Sequence, residues 1–186
     1  MKYWTIQTKD VIETVNEKGI FQPDFDKSRY LSINSNLKDL YYFVLKAFNK
    51  INGMDLHGVV YAFAQSDGRR INSIKDIDEF CAFIKNKKAV IDGLWKMIAK
   101  GDVEIVELIY NEEFNPIFVD INDFQFLMPP IMYFPPYTKQ SIDRICDDIS
   151  KGQIRVSEFP SNVIQAHLSY IKTENIVNIY PIFDLD

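Results

Sequence analysis

The sequence predicts one α+β domain with a split, mostly antiparallel sheet and flanking helices. Three observations lead there. Helical and strand periodicities alternate along the chain, yet several strand segments are short. The connections between them are long and rich in aromatic residues and proline, which suits poorly the tight βα turns of a doubly wound parallel sheet. The 186 residues, 47% hydrophobic and 14% aromatic, are enough for one core and too few for two large ones. No internal repeat, low-complexity tract or domain boundary divides them, so a single domain over 1–186 is expected.

The elements follow in order. Residues 2–7 are rich in β-favouring Tyr, Trp, Thr and Ile and read as a strand. Thr8 is placed as an N-cap, Val11, Ile12 and Val15 mark one helical face, and Gly19 ends the helix as a left-handed residue would. After Ile20 and Phe21 comes a polar loop through Pro23 and Asp26. Ser35 or Asn36 caps the next helix. Its core face is Leu37, Leu40, Tyr41, Val44, Leu45 and Phe48, and Asn52-Gly53 closes it.

Residues 58–64 are expected as a buried strand, and 65–68 as a turn or loop. Helices are expected over 74–85 and 90–99, then a strand over 102–110, where apolar and acidic residues alternate, and a short one over 116–119. The proline pairs 129–130 and 135–136 exclude a regular helix or central strand from the apolar stretch 124–137, which reads as an ordered aromatic loop. A helix over 141–151 ends at Gly152. A strand over 163–171, a turn at 173–175 and a final apolar segment over 176–183 complete the chain.

Composition excludes several classes. No run of about 18 apolar residues offers a membrane span, and the first residues lack the apolar stretch of a secretion signal. Cys81 and Cys146 make neither a disulfide framework nor metal spacing and are expected as free thiols, which points to a cytoplasmic protein. The two histidines, His57 and His167, have no ligand companions, so no metal site is expected. No glycine-rich phosphate loop or Gly-x-Ser-x-Gly elbow occurs.

Charge is distributed unevenly. Residues 1–100 carry 16 Lys/Arg and 12 Asp/Glu, a net of +4; residues 101–186 carry 5 and 14, a net of −9. Arg69 and Arg70 open a basic region and, after an Asp-Gly turn, are expected at the surface, solvated or in contact with a phosphate or partner. From 101 to 138 there is no Lys or Arg, while Asp102, Glu104, Glu107, Glu112, Glu113, Asp120 and Asp123 accumulate. Those carboxylates are expected to face water, because a group of like charges is costly to bury together. The acidic run fits either a solvated face or a contact for a basic partner. The adjoining stretch with Phe124, Phe126, Met128 and Tyr133 fits a loop folded over the core or an exposed aromatic and methionine surface. The overall pI of about 5.1 argues against direct nucleic-acid binding.

Among single residues, Trp4 and Tyr61 are expected in the core, with ligand stacking as the alternative for Tyr61. Alternation places His167 on one face with Gln165 and Ser169. It is expected to be surface- or loop-facing, with a cleft-lining position as the alternative. Gln7 and Gln165 are expected as satisfied polar groups at strand edges, with a shared cleft as the alternative.

The opening Trp4-Thr5-Ile6-Gln7, the helix after it and Gly19-Ile20-Phe21 resemble the start of an uncharacterised bacterial family of unknown function. The aromatic helix at 40–44, the strand at 58–63 and the segment 163–176 sit where that family has corresponding elements. The layout is more distantly similar to ADP-ribosyltransferases of the DNA-targeting toxin type. Those open on an aromatic-His-x-Thr strand and close on a Gln-Ala-Glu strand, a turn and an Ile-rich strand. That likeness implies an ADP-ribosyltransferase-like fold with the first and last strands in one sheet system. In the toxin family the first-strand His and a mid-chain Tyr hold NAD, and the Glu polarises the ribose, whose oxocarbenium character calls for a carboxylate. Here Trp4 or Thr5 stands at the His position, Tyr61 matches the Tyr, and His167 stands where Glu would be. Any catalytic carboxylate would have to come from elsewhere, with Glu158 or Glu174 available.

The reading that follows is a non-catalytic binding protein with no cofactor. Its acidic stretch and aromatic loop would contact, and could inhibit, a basic protein partner such as a nucleic-acid enzyme. The alternative is a divergent NAD-dependent ADP-ribosyltransferase acting on protein or nucleic acid, with Tyr61, Glu158 and His167 as its candidate catalytic residues.

Overall fold

The computed structural model describes residues 2–28, 31–32, 35, 38–66, 69–70, 103–111, 114, 116–120 and 164–181. Strand β1 (Lys2–Thr8) runs directly into helix α1 (Lys9–Lys18). Thr8 occupies the N-cap with extended backbone, but its side chain makes no capping bond; Asp10 in the first turn and Lys18 in the last suit the helix dipole. Gly19 ends the helix at φ +75°, donating its N–H to the Val15 carbonyl at 2.8 Å. Ile20 and Phe21 then form a short strand, β2 (Ile20–Phe21), that the sequence reading had passed over.

Helix α2 (Lys38–Asn52) buries Val44, Leu45, Ala47 and Phe48, and is followed by Gly53 at φ +61°. The strands after it are β3 (Val60–Ser66), β4 (Arg69–Arg70), β5 (Val103–Ile109), β6 (Ile117–Asp120), β7 (Ile164–Leu168), β8 (Ile171–Lys172) and β9 (Ile176–Pro181). Gln65 and Ser66, expected in a turn, extend β3 and pair with Arg70 and Arg69 of β4. The expected helices over 74–85, 90–99 and 141–151, the aromatic loop over 124–137 and both cysteines lie outside the described residues.

The described strands form a seven-stranded sheet in the order β6-β7-β3-β1-β5-β9, with β4 added beside β3, and a two-stranded sheet of β2 and β8. Every pairing is antiparallel. The first and last parts of the chain therefore share one sheet, β3 lying between β1 and β7. The β1–β5 ladder runs the whole length of β1, from Lys2 opposite Ile109 to Thr8 opposite Val103. Across the β1–β3 seam Trp4 stands opposite Phe63, and the Thr5 hydroxyl donates to the Tyr61 carbonyl at 2.6 Å.

The two faces of the sheet carry separate cores. Tyr3, Val60, Ala62, Val106, Leu108, Ala166 and Leu168 line one face and pack with Ile12 and Val15 of α1. On the other face, Val59, Tyr61 and Ile117 pack with Val44, Leu45, Ala47 and Phe48 of α2 and with Phe25. The helices thus cover opposite faces, each burying one side of a strand alternation.

One expectation needs correction: the single strand over 163–171 is two strands in two sheets. The chain breaks at Ser169 and Tyr170, leaving β7 in the large sheet and β8 paired with β2. The cause is tertiary. Tyr170 packs on Tyr110 and Phe114, and the buried Tyr110 hydroxyl donates to the Tyr170 carbonyl. Beyond β8, the Thr173 N–H donates to the Gly19 carbonyl at 3.1 Å and its hydroxyl donates to the Val15 carbonyl at 3.2 Å. The late segment therefore satisfies carbonyls at the end of α1 that a helix terminus leaves open.

Gly58 is fixed by crowding rather than by dihedral angle. A Cβ there would lie 2.8 Å from the Pro23 backbone, where the Phe25 N–H meets the His57 carbonyl at 3.0 Å. Gly19 faces open space, and its constraint is the positive φ alone. In chemical denaturation, Gly19→Ala should cost about 1 kcal/mol. Gly58→Ala should cost more, about 1–3 kcal/mol, because backbone must move. Equal costs would contradict the close approach.

Candidate functional site

Tyr61 and His167 stand opposite each other on β3 and β7, with ring centroids 4.7 Å apart in an edge-to-face arrangement. Tyr41 of α2 lies 4.8 Å from Tyr61, and Phe25 stacks on it at 6.4 Å. His167 is 0% exposed, so the expectation of a surface- or loop-facing histidine is overturned. Interior strand β7 turns this side chain toward the face that α2 covers. Burial lowers its pKa from 6.5 to about 3, so the imidazole is neutral at physiological pH. It is thus neither a carboxylate nor a cation at that position.

Gln165 shares this face, and its Oε1 is buried without a hydrogen-bond partner. Ser169 lies beyond the end of β7, at the bend, with its buried hydroxyl likewise unpartnered. Gln7 points to the opposite face, where its amide donates to the Thr5 hydroxyl at 2.7 Å. Gln7 and Gln165 therefore do not share a cleft. Trp4, expected in the core, is 2% exposed, and Thr5 is 1% exposed on the other face. Trp4, Thr5 and His167 are thus sealed, while Tyr61 is half-buried.

A second polar cluster spans β1, β5 and β9. Lys2 Nζ sits 2.6 Å from Glu107 Oε1, while the Asn178 amide and the Tyr180 hydroxyl each donate to Glu107 Oε2 at 3.2 Å. Trp4, beside Lys2 on the same strand face, packs against Tyr180 at 6.1 Å. Burial pushes the Glu107 carboxyl up, but Lys2, Asn178 and Tyr180 together bring it below the ordinary carboxylate value. The reverse side of the same contact raises Tyr180, through burial and the neighbouring carboxylate.

Glu107 is 2% exposed, which corrects its place in a water-facing acidic run. Strand alternation also puts Glu104 and Glu107 on opposite faces: Glu104 pairs with Gln7 on the α1 side, and Glu107 with Trp4 on the other. Asp120 ends β6, with β7, β3 and β1 between it and β5. Glu104, Glu107 and Asp120, the acids of this run among the described residues, are therefore dispersed over the sheet, and Asp102 lies outside the described residues. Arg69 and Arg70 form β4 beside the end of β3. Glu112, Glu113, Asp123, Phe124, Phe126, Met128, Tyr133 and Glu158 lie outside the described residues.

Sequence reasoning missed the apolar groups that remain in water. Phe118 is 46% exposed on β6, and Val177 is 44% exposed and Ile179 37% on β9. Phe118 stacks on Tyr3 at 6.5 Å; between their strands stand Ala166 and Ala62, small side chains that leave room for the two rings. The signal for β9 was available: its six residues carry no charge.

Among the described residues, no group of three or more His, Cys, Asp and Glu side chains is arranged to hold a metal, and no helix is long and apolar enough to cross a membrane. Compared with protein-family models, curated proteins and solved structures, the chain matches none.

Two measurements check this description. On unfolding, His167 gains a proton wherever the pH lies between its folded value of about 3 and its unfolded value near 6.5. Stability should therefore fall as pH drops from ~6.5 to ~5, with a slope approaching about 1.4 kcal/mol per unit from this residue. His167→Phe should remove that component of the denaturation profile; an unchanged slope would place the histidine in water. For the second cluster, Lys2→Met leaves a buried carboxylate uncompensated and should cost about 1–3 kcal/mol. Adding Glu107→Gln should recover part of that loss in a double-mutant cycle, whereas strict additivity would mean the pair is not coupled.

Proposed function

We propose that the chain is a non-catalytic binding protein on an ADP-ribosyltransferase-like fold, and that its acidic second half contacts a basic protein partner such as a nucleic-acid enzyme. The observation that carries the non-catalytic reading is His167. Where the resemblance calls for a carboxylate beside a cationic ribose, this chain has a neutral imidazole with no solvent exposure, under the aromatic side chains of α2. Trp4 at the other matched position is also sealed, and its neighbours Lys2 and Glu107 are engaged in holding strands together.

The net charge of −9 over 101–186 supports a basic partner, with Glu107 removed from the contact set because it is internal. Glu104, Glu112, Glu113, Asp120 and Asp123 remain, with the aromatic stretch 124–137 beside them in sequence. Exposed carboxylates accelerate encounter with a basic surface, and salt screens that gain.

The purified protein should neither hydrolyse NAD nor transfer labelled ADP-ribose. Robust transfer lost in Tyr61→Ala or Glu158→Gln would establish the enzyme reading in its place. A reconstituted complex with a captured partner should weaken as ionic strength rises, and again in the Glu104→Gln, Glu112→Gln, Glu113→Gln triple variant, by about 0.2–1 kcal/mol per exposed charge pair. Calorimetric titration insensitive to both changes would remove the acidic contact.

A further inference from the structure

Strand β9 is an outermost strand of the seven-stranded sheet, and among the described residues its outer edge pairs with no other strand. Its sequence, Ile-Val-Asn-Ile-Tyr-Pro, has no charged residue. Val177 and Ile179 are 44% and 37% exposed, and Ile109 on the adjoining strand is 37% exposed. Sheet edges are ordinarily guarded by lysine, proline, a bulge or a covering element. Among the described residues two such guards are present. A register shift between Glu107 and Leu108 leaves Val177 as the extra residue of β9, and Pro181, which has no N–H to offer, closes the strand.

In the sequence around β9 acids predominate, although Lys172 pairs with Glu174 and Lys2 with Glu107. From Thr173 to Asp186 there is no Lys or Arg, while Glu174 precedes β9 and Asp184 and Asp186 follow it. Glu174 keeps 68% of its side chain exposed even with Lys172 at 3.5 Å. An uncharged, partly apolar strand with acids before and after it in the sequence is complementary to an extended segment with an apolar centre and basic ends. A second copy of this chain would instead bring like charges together, since the whole protein carries −5.

We propose that the outer edge of β9 is the docking edge for an extended basic segment of the partner, which adds to the sheet as a further strand. This rests on the basic-partner reading above and assigns it a place. Main-chain hydrogen bonds supply the affinity. Val177 and Ile179 receive the apolar side chains, and the acidic flanks select the basic ends. The short ladder between the register shift and Pro181 makes the contact weak and reversible.

The test uses the full chain and the synthetic peptide Lys-Arg-Val-Thr-Val-Thr-Val-Arg-Lys, with a control in which both threonines are proline. The first peptide should bind, more weakly as salt rises, and should slow amide exchange within residues 177–180 by at least about tenfold. The proline control, unable to complete a ladder, should bind at least about tenfold more weakly. Val177→Lys with Ile179→Lys places two cations on the edge at exposed positions. It should weaken the first peptide by at least about tenfold while circular dichroism stays unchanged. Should that variant misfold, the exchange pattern and the proline control on the unaltered protein still decide. Salt-sensitive binding of both peptides alike, with residues 177–180 unprotected, would overturn the docking edge and leave the basic-partner reading standing. Absence of peptide binding at low salt would also overturn the edge, and the partner titration above would then judge the broader reading alone.

Discussion

A carboxylate removed from water has to be met on every side, and Glu107 is met by Lys2 from one neighbouring strand and by Asn178 and Tyr180 from the other. This polar arrangement joins three strands of the sheet. It fixes β1 and β9 against β5 in a register that apolar packing alone would specify less sharply, since a slip would leave the charge buried without its partners. The ladder of β1 along β5 and the seating of Trp4 against Tyr180 accord with the same constraint. An acid in the most acidic part of the chain thus has an internal, structural task.

The other half of the sheet is built differently. Around β3 and β7 the contacts are aromatic: Phe25, Tyr41, Tyr61 and His167 meet beneath α2, while Tyr3, Tyr110, Phe114 and Tyr170 meet on the opposite face. The two halves join at the seam between β1 and β3, where Trp4 stands opposite Phe63 and the Thr5 hydroxyl donates to the Tyr61 carbonyl. Aromatic contacts of Tyr3 with Tyr110 and Phe118 and the shared core of Tyr3, Val60, Val106 and Ala166 tie the two halves together across that seam.

Elements whose burial follows a local period were legible in the sequence. The strand from Lys2, the helix ending at Gly19, the helix through Phe48 and the strand around Ile105 all have their apolar residues at the spacing their geometry requires. What escaped was set by residues distant in the chain. The break at Ser169 interrupts an apolar run and depends on where Tyr110 holds Tyr170. The burial of His167 follows from which face α2 covers, and alternation specifies a face without saying what lies on it. Glu107 was grouped with Glu104 because they are close in sequence, whereas strand geometry sends them to opposite faces and its counter-ion comes from the first strand. The exposed edge of β9 was present in the composition as a lack of charge, a weaker signal than charge itself.

Thr173 closes the end of α1 from a point 158 residues beyond Val15. The large sheet is interleaved in the same way, with β7 beside β3 and β9 beside β5. On the ribosome, therefore, the first strand and helix emerge long before the groups that complete them. Local helix formation can start early, but β3 and β5 keep one side open until the segment from Ile164 has been made. The chain closes late and across its whole length. Synthesis that stalls ahead of that segment leaves the apolar faces of two strands without their neighbours, so the unfinished chain is the form in which this protein is most exposed to aggregation and to capture by chaperones.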